Sequence, residues 1–225
     1  MATITQPVVA DEQEPKLGGR GPEPPPPREG DGGGGRPGGG QLQDRLRLYR
    51  IGLAVGLVPV VMLFVAFTSA YIVRQGLGGD WQSTSLPPML WINTLILLAS
   101  SVTAEFARRR LFLPDERQAS SPPWLGITLV LGLGFLAGQL VAWRQLAAQG
   151  IFISSNPSSS FFYLLTGSHG AHLAGGVLAW LYAGATSLLN KPLARRRIVL
   201  DLAAWYWHFM DVLWIYILGL MYFAK

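Results

Sequence analysis

Five long apolar runs, separated by short polar breaks, occupy the sequence from residue 51 onward. Each run approaches or exceeds the roughly 20 residues that an α-helix needs to cross the hydrocarbon core of a bilayer. The predicted spans lie at about residues 51–73, 88–107, 124–143, 161–189 and 198–223. This pattern predicts an all-α integral membrane bundle of five transmembrane helices over residues 44–225.

The composition favours the same class of protein. Half of the 225 residues are hydrophobic, and the chain contains no cysteine, which excludes disulfides, thiolate-bound zinc and iron–sulfur clusters. The net charge of +5 could indicate a nucleic-acid partner. The Lys and Arg residues instead cluster beside the apolar runs, as they do in membrane proteins, so we expect no nucleic acid.

The ends of the spans differ in charge. Basic residues precede the first span and fill the breaks between spans two and three and between spans four and five. The positive-inside rule therefore places the N-terminus in the cytoplasm and the C-terminus outside. Residues 1–43 include GRGPEPPPPREGDGGGGRPGGG and have few large side chains to bury, which predicts a disordered tail.

Two predicted spans contain acidic residues. An ionisable side chain at the bilayer centre costs about 2.5–3.5 kcal/mol on insertion scales, so it is expected to have a partner. Asp211 lies midway along span five, three residues after His208 and on the same helical face. The pair is predicted to fix span five as one buried polar unit, with a proton or metal role as the alternative. Glu105 is expected to pair with Arg108 or Arg109.

Two histidines lie three residues apart in span four. His169 and His172 are predicted to share one helical face. A metal would need three or four donors with supporting residues, and the His-Glu-x-x-His pattern of zinc peptidases is not present. Hydrogen bonding between helices is the favoured interpretation, and metal ligation is the alternative.

Small residues four apart predict close contacts between helices in lipid. The candidates are the pair Gly52 and Gly56 in span one and the pair Gly134 and Gly138 in span three. Pro59 in span one removes a backbone donor, which predicts a kink.

Four segments resemble one known family. FFYLLTGSHGAHLAGG and WYWHFMDVLWIYIL closely resemble the two signature segments of haem-copper oxidase subunit III, the cytochrome c oxidase subunit 3 family. MLFVAFTSAYIVR and LPPMLWINTLILLASSVT resemble its preceding helices. The resemblance covers nearly everything from span one to the C-terminus and implies the short, five-helix bacterial form. It implies a multi-pass, non-catalytic subunit of the bacterial inner membrane, which packs on subunit I of a respiratory terminal oxidase and supports proton uptake and the stability of the oxygen-reducing centre.

The resemblance also implies partners and cofactors. Subunits I and II would hold the haem and copper, this chain would hold no catalytic, cofactor or metal residue, and phospholipid would fill a cleft between helices. Three histidines and no cysteine are too few for either of those subunits. The positions that match the family are carried over as structural or lipid-adjacent polar residues: His169, His172, His208 and Asp211.

The sequence departs from the family at one position. Many members have a buried glutamate in the helix that matches span one, where this sequence has Val58 and Pro59. A proton-related role of that carboxylate is therefore not expected, and Glu105 lies on another helix. Subunit III of a quinol oxidase and an accessory protein of nitric oxide reductase fit the same residues. A small transporter that uses His208 and Asp211 for proton coupling is a further alternative, although no inverted repeat supports it.

Overall fold

The computed structural model of the chain describes residues 39–77, 79, 87–113, 122–189 and 191–223. Within these ranges it contains five α-helices and no β-strand. The helices are α1 (Gly39–Leu77), α2 (Met89–Leu111), α3 (Pro122–Ala148), α4 (Pro157–Leu188) and α5 (Leu193–Phe223). The prediction of an all-α bundle of five helices is confirmed.

Four of these helices, α1, α2, α3 and α5, are long and apolar enough to cross a membrane. The remaining helix, α4, has 32 residues, about 48 Å of helix, which is also longer than a bilayer core. Its sequence includes serines, glycines and two histidines. Several of its polar side chains, such as Thr166 and His169, are buried against other helices.

The predicted tail lies mostly outside the described residues. The five helices all lie within Pro37–Lys225. Residues 39–43, which were assigned to the tail, form the first turns of α1. This helix continues through Pro59. Disorder of the tail and the orientation of the termini remain predictions.

Helices α2 to α5 pack against one another as antiparallel neighbours. Near the end of α2, Thr103 hydrogen-bonds Thr128 near the start of α3, with 2.9 Å between the hydroxyl oxygens. In the same way Trp143 late in α3 donates to Thr166 early in α4. Helix α1 packs on α4 and α5, and most of its apolar side chains are exposed.

Trp207 of α5 forms the centre of the core. A Cβ atom added to Gly132 of α3 would lie 2.7 Å from the Trp207 ring, and one added to Gly176 of α4 would lie 3.1 Å from it. The indole Nε1 donates to Ser100 Oγ of α2 at 2.9 Å. One buried side chain therefore sets the spacing of four helices, because glycines on two of them leave room for its ring.

The two predicted glycine pairs differ in how closely other helices approach them. A Cβ atom at Gly138 of α3 would collide with Asn93 Oδ1 of α2, whereas Gly134 has open space up to 4.0 Å. Among the described residues, no atom lies within 4 Å of a Cβ added to Gly52 or Gly56 of α1. The predicted close contact is therefore confirmed at Gly138 and wrong in α1, because this helix lies at the periphery.

Candidate functional site

Charged side chains from three helices meet near the end of the bundle where α2 ends and α5 begins. Asp201 of α5 is fully buried and accepts two hydrogen bonds from Arg50 of α1, Nε to Oδ2 and Nη2 to Oδ1, both 2.7 Å. Arg108 of α2 also donates to Asp201 Oδ1 at 3.4 Å. Arg108 binds Glu105 through two further bonds of 2.7 Å. We call Arg50, Glu105, Arg108 and Asp201 the ionic cluster.

The ionic cluster compensates a carboxylate that is removed from water. Two-point Arg–carboxylate pairing is the strong form of this interaction, and it holds α1 to α5 because Arg50 and Asp201 lie on those helices. The Arg50 guanidinium also lies 5.4 Å from the centroid of the Trp205 ring, a cation–π distance. The charges therefore tie the peripheral helix α1 to the rest of the bundle.

Glu105 pairs as predicted. It accepts hydrogen bonds from Arg108 Nε and from Arg109 Nε, each at 2.7 Å. The pairing of Arg50 with Asp201 was missed. A signal for it existed, since Asp201 is an acidic residue inside the predicted span 198–223 and such residues are expected to have a partner.

His208 lies near Asp211, and its hydrogen bond joins it to a serine of another helix. Its Nδ1 lies 2.6 Å from Ser101 Oγ of α2 and 4.0 Å from Asp211 Oδ2. Its Nε2 lies 3.7 Å from Glu105 Oε2. Both oxygens of the buried Asp211 carboxylate lack a hydrogen-bond partner within the described ranges. The residues are neighbours, but His208 fixes α5 to α2 through a serine rather than through a hydrogen bond to Asp211.

His169 and His172 contact different helices. His172 Nδ1 lies 2.7 Å from the Ser168 carbonyl oxygen of its own helix, and its ring centroid is 5.9 Å from that of Phe64 in α1. His169 is fully buried, with its ring 5.0 Å from the Trp214 ring of α5. Residues three apart point within about 60° of each other on a helix, and here the two imidazoles contact aromatic rings of different helices.

A second polar group lies deeper in the bundle. Asn93, Gln139 and His169 come from α2, α3 and α4, and all three side chains are buried. Their polar side-chain atoms have no hydrogen-bond partner among the residues that the structure describes. We call these three residues the interior polar layer.

Metal ligation was the alternative interpretation of the histidines. In the described part of the chain, no group of three or more His, Asp and Glu side chains is arranged to hold a metal ion. The contacts of Asp201 with Arg50 and of Ser101 with His208 instead join helices by ion pairing and hydrogen bonding.

The family model of cytochrome c oxidase subunit III matches residues 45–225. The chain belongs to this family. The matched range includes most of α1 and all of α2 to α5, so the ionic cluster and the interior polar layer both lie inside the subunit III region. Family membership makes the chain a subunit of an oxidase complex and, with its apolar helices, a multi-pass membrane protein.

Named bacterial relatives agree with the family match. The probable cytochrome c oxidase subunit 3 of Mycobacterium tuberculosis strain H37Rv is 31% identical over 193 residues, which cover 81% of this chain and 91% of the relative. The cytochrome c oxidase subunit 3 of Bacillus subtilis strain 168 is 33% identical over 182 residues, which cover 76% of this chain and 84% of the relative. The similarity therefore extends over most of both chains.

Proposed function

We propose that the chain is the non-catalytic subunit III of a cytochrome c oxidase in a bacterial inner membrane. The family match over residues 45–225 is the observation that carries this proposal. Subunits I and II would be its partners and would hold the haem and copper. The subunit would pack on subunit I, support proton uptake and stabilise the oxygen-reducing centre during turnover.

The outward faces of α1 and α2 support a role in assembly. Exposed apolar side chains follow α2 at intervals of three to four residues, among them Leu95, Leu98 and Val102, and form one continuous stripe. Apolar surface of this kind is suited to lipid or to another membrane subunit. The ionic cluster would keep α1 in position when such a partner binds.

A separate groove supports the proposal of a bound phospholipid. A groove between α1 and α5 has Arg45 and Arg195 at one end, and it continues along Val199 and Leu202 into an apolar cavity that Leu53 also lines. Salt bridges in the described part of the chain involve neither of the two arginines. Two arginines at the end of an apolar groove match the anionic headgroup and the acyl chains of a phospholipid.

Purification in mild detergent through a tag on this chain tests the oxidase assignment. We expect the chain to bring down haem- and copper-containing subunits with the spectrum of a terminal oxidase, and the complex to oxidise cytochrome c. Oxidation of quinol only, or reduction of nitric oxide, would point to the related complexes. Recovery of the chain alone without haem, together with proton-coupled transport in liposomes, would overturn the proposal.

Lipid retention can be measured by native mass spectrometry of the purified complex. We expect Arg45→Gln combined with Arg195→Gln to lower the occupancy of a bound anionic phospholipid. Arg47→Gln is the matched control, because Arg47 is exposed on the same helix but does not line the groove. Equal lipid occupancy in the parent protein, the double variant and the Arg47→Gln control would contradict this location of the lipid.

A further inference from the structure

Three neutral polar side chains in the core have nothing to pair with among the described residues. Asn93 and His169 are fully buried, and Gln139 is 3% exposed. Both amide atoms of Asn93 and Gln139 and both ring nitrogens of His169 lack hydrogen-bond partners in these ranges. Buried polar groups are nearly always paired with protein or with ordered water, so this group requires an explanation.

The Asn93 amide reaches the backbone of α3. Its Oδ1 occupies the position where a Cβ atom of residue 138 would lie, and only the glycine at that position makes room for it. The contact available there is the weak one with the glycine Cα–H group. Gln139 follows Gly138 directly, so the two amides lie at the same level of the bundle.

His169 reaches the same level from α4. Its ring is 5.9 Å from the ring of Phe135, which lies one turn before Gln139 on the same face of α3. The Trp214 ring lies 5.0 Å from the imidazole, and Trp214 Nε1 donates to Thr94 of α2 at 3.0 Å. These two aromatic neighbours offer the nitrogens of His169 no conventional acceptor.

The chemistry of the three side chains decides which ligand fits them. Two amides and one imidazole supply both donors and acceptors, whereas hard cations prefer sets of oxygen ligands that include carboxylates. A water molecule both donates and accepts, and buried waters typically make two to four hydrogen bonds to polar groups that have no other partner. The mixed and neutral character of this group therefore matches water.

We propose that Asn93, Gln139 and His169 form an internal water site that joins α2, α3 and α4 in the apolar interior of the bundle. Water there satisfies polar groups that would otherwise carry an uncompensated desolvation penalty in a region without solvent. This site does not depend on the partners of the oxidase subunit. It is a property of the helix bundle itself.

High-resolution cryo-electron microscopy of the intact complex tests the site directly. We expect non-protein density within about 2.7–3.2 Å of polar atoms from at least two of the three side chains. A map that shows no such density, with the amides rotated so that they bond to each other or to backbone, would overturn the proposal. Density with short octahedral contacts would indicate a cation and would equally overturn it.

Thermal melts of the same complex give an independent test. We expect Asn93→Leu and Gln139→Leu each to lower the melting temperature of this subunit by about 2–6 °C, because each change leaves the remaining partners unpaired. The double variant should lose less than the sum of the two shifts, since bridged residues are coupled. Gln145→Leu is the control for Gln139→Leu, because Gln145 lies on the same helix, α3, and is exposed. Additive shifts would contradict a shared water.

A smaller polar replacement protects the test against variants that fail to assemble. Asn93→Ser keeps a donor and an acceptor and leaves room for one more water. We expect it to melt within about 2 °C of the parent and to show additional density beside the serine. If it were as unstable as Asn93→Leu, the proposed water site would be wrong.

Discussion

The ionic cluster and the interior polar layer differ in how their buried polar groups are paired. In the ionic cluster each carboxylate is bonded to at least one arginine, and the Arg50 side chain keeps 39% exposure. The interior polar layer contains neutral amides and an imidazole without partners among the described residues. The carboxylates of the ionic cluster thus lie at the end of the bundle, where arginine can reach both a carboxylate and solvent, and the interior polar layer consists of neutral groups that are cheaper to bury.

The largest expected effect comes from removing the arginine of the ionic cluster. Arg50→Met leaves the fully buried Asp201 with only the longer contact of 3.4 Å from Arg108. We expect a loss of up to about 3–5 kcal/mol in the free energy of unfolding, the range for removing one partner of a buried ion pair, because Arg108 offsets part of the charge. The measurement is the temperature at which this subunit unfolds or leaves the purified complex.

Arg47→Met is the control for this change. Arg47 lies on the same helix and is exposed, so its replacement should alter stability by less than about 0.5 kcal/mol. If Arg50→Met and Arg47→Met had equal effects, the ionic cluster would not hold α1, and the contrast between the two polar groups would lose its energetic basis.

The interior polar layer is tested next by filling the space beside Asn93. Gly138→Ala places a methyl group against Asn93 Oδ1, and overpacking of a tight contact costs about 1–3 kcal/mol. Gly134→Ala on the same helix meets Ile96 of α2 only at 4.0 Å and should cost less. Equal melting temperatures of the two variants would indicate that Asn93 moves away freely.

The link between α2 and α5 at His208 lies between these two regions. Ser101→Ala removes the 2.6 Å contact to Nδ1, and a net hydrogen bond contributes about 0.5–1.5 kcal/mol. A double-mutant cycle of Ser101→Ala with His208→Ala measures this pair. We expect a coupling energy of about 1 kcal/mol, and a coupling near zero would return Asp211 to consideration as the partner of His208.

The smallest expected effect is at the exposed side of the ionic cluster. The Arg109 side chain is 73% exposed although it donates to Glu105, and exposed ion pairs contribute about 0–1 kcal/mol. We expect Arg109→Gln to change the unfolding free energy by less than about 0.5 kcal/mol, and Arg108→Gln to change it more because Arg108 also contacts Asp201. A reversed order in chemical or thermal melts would contradict the described geometry.

Predictions that rest on local spacing were the most accurate. Apolar runs long enough for a membrane predicted five helices, and each helix begins before the corresponding span or within a residue of its start. The pairing of Glu105 with Arg108 and Arg109 also followed from spacings of three and four residues on one helix. These features depend on neighbours along the chain, which periodicity describes.

Predictions that involve separate helices were less accurate. His208 and Asp211 do lie on one side of α5, but which atom His208 bonds depends on where Ser101 of α2 lies. Gly52 and Gly56 have the spacing of a helix contact and make none with the helices that the structure describes, because spacing along one helix does not say which helix lies opposite. Asp201 could have been recognised as a buried acid, but not its pairing with Arg50, which is 151 positions away.

By itself the sequence determined the class of protein, the number and approximate bounds of its helices and, through its signature segments, its family. Those properties follow from hydropathy and helical periodicity, which act over a few turns of one segment. Only the tertiary structure decided that Arg50 pairs with Asp201, that glycines accommodate Trp207, and that the two histidines of α4 face different helices. Such contacts depend on how side chains from distant segments fill a shared volume, and close packing makes that outcome sensitive to single atoms.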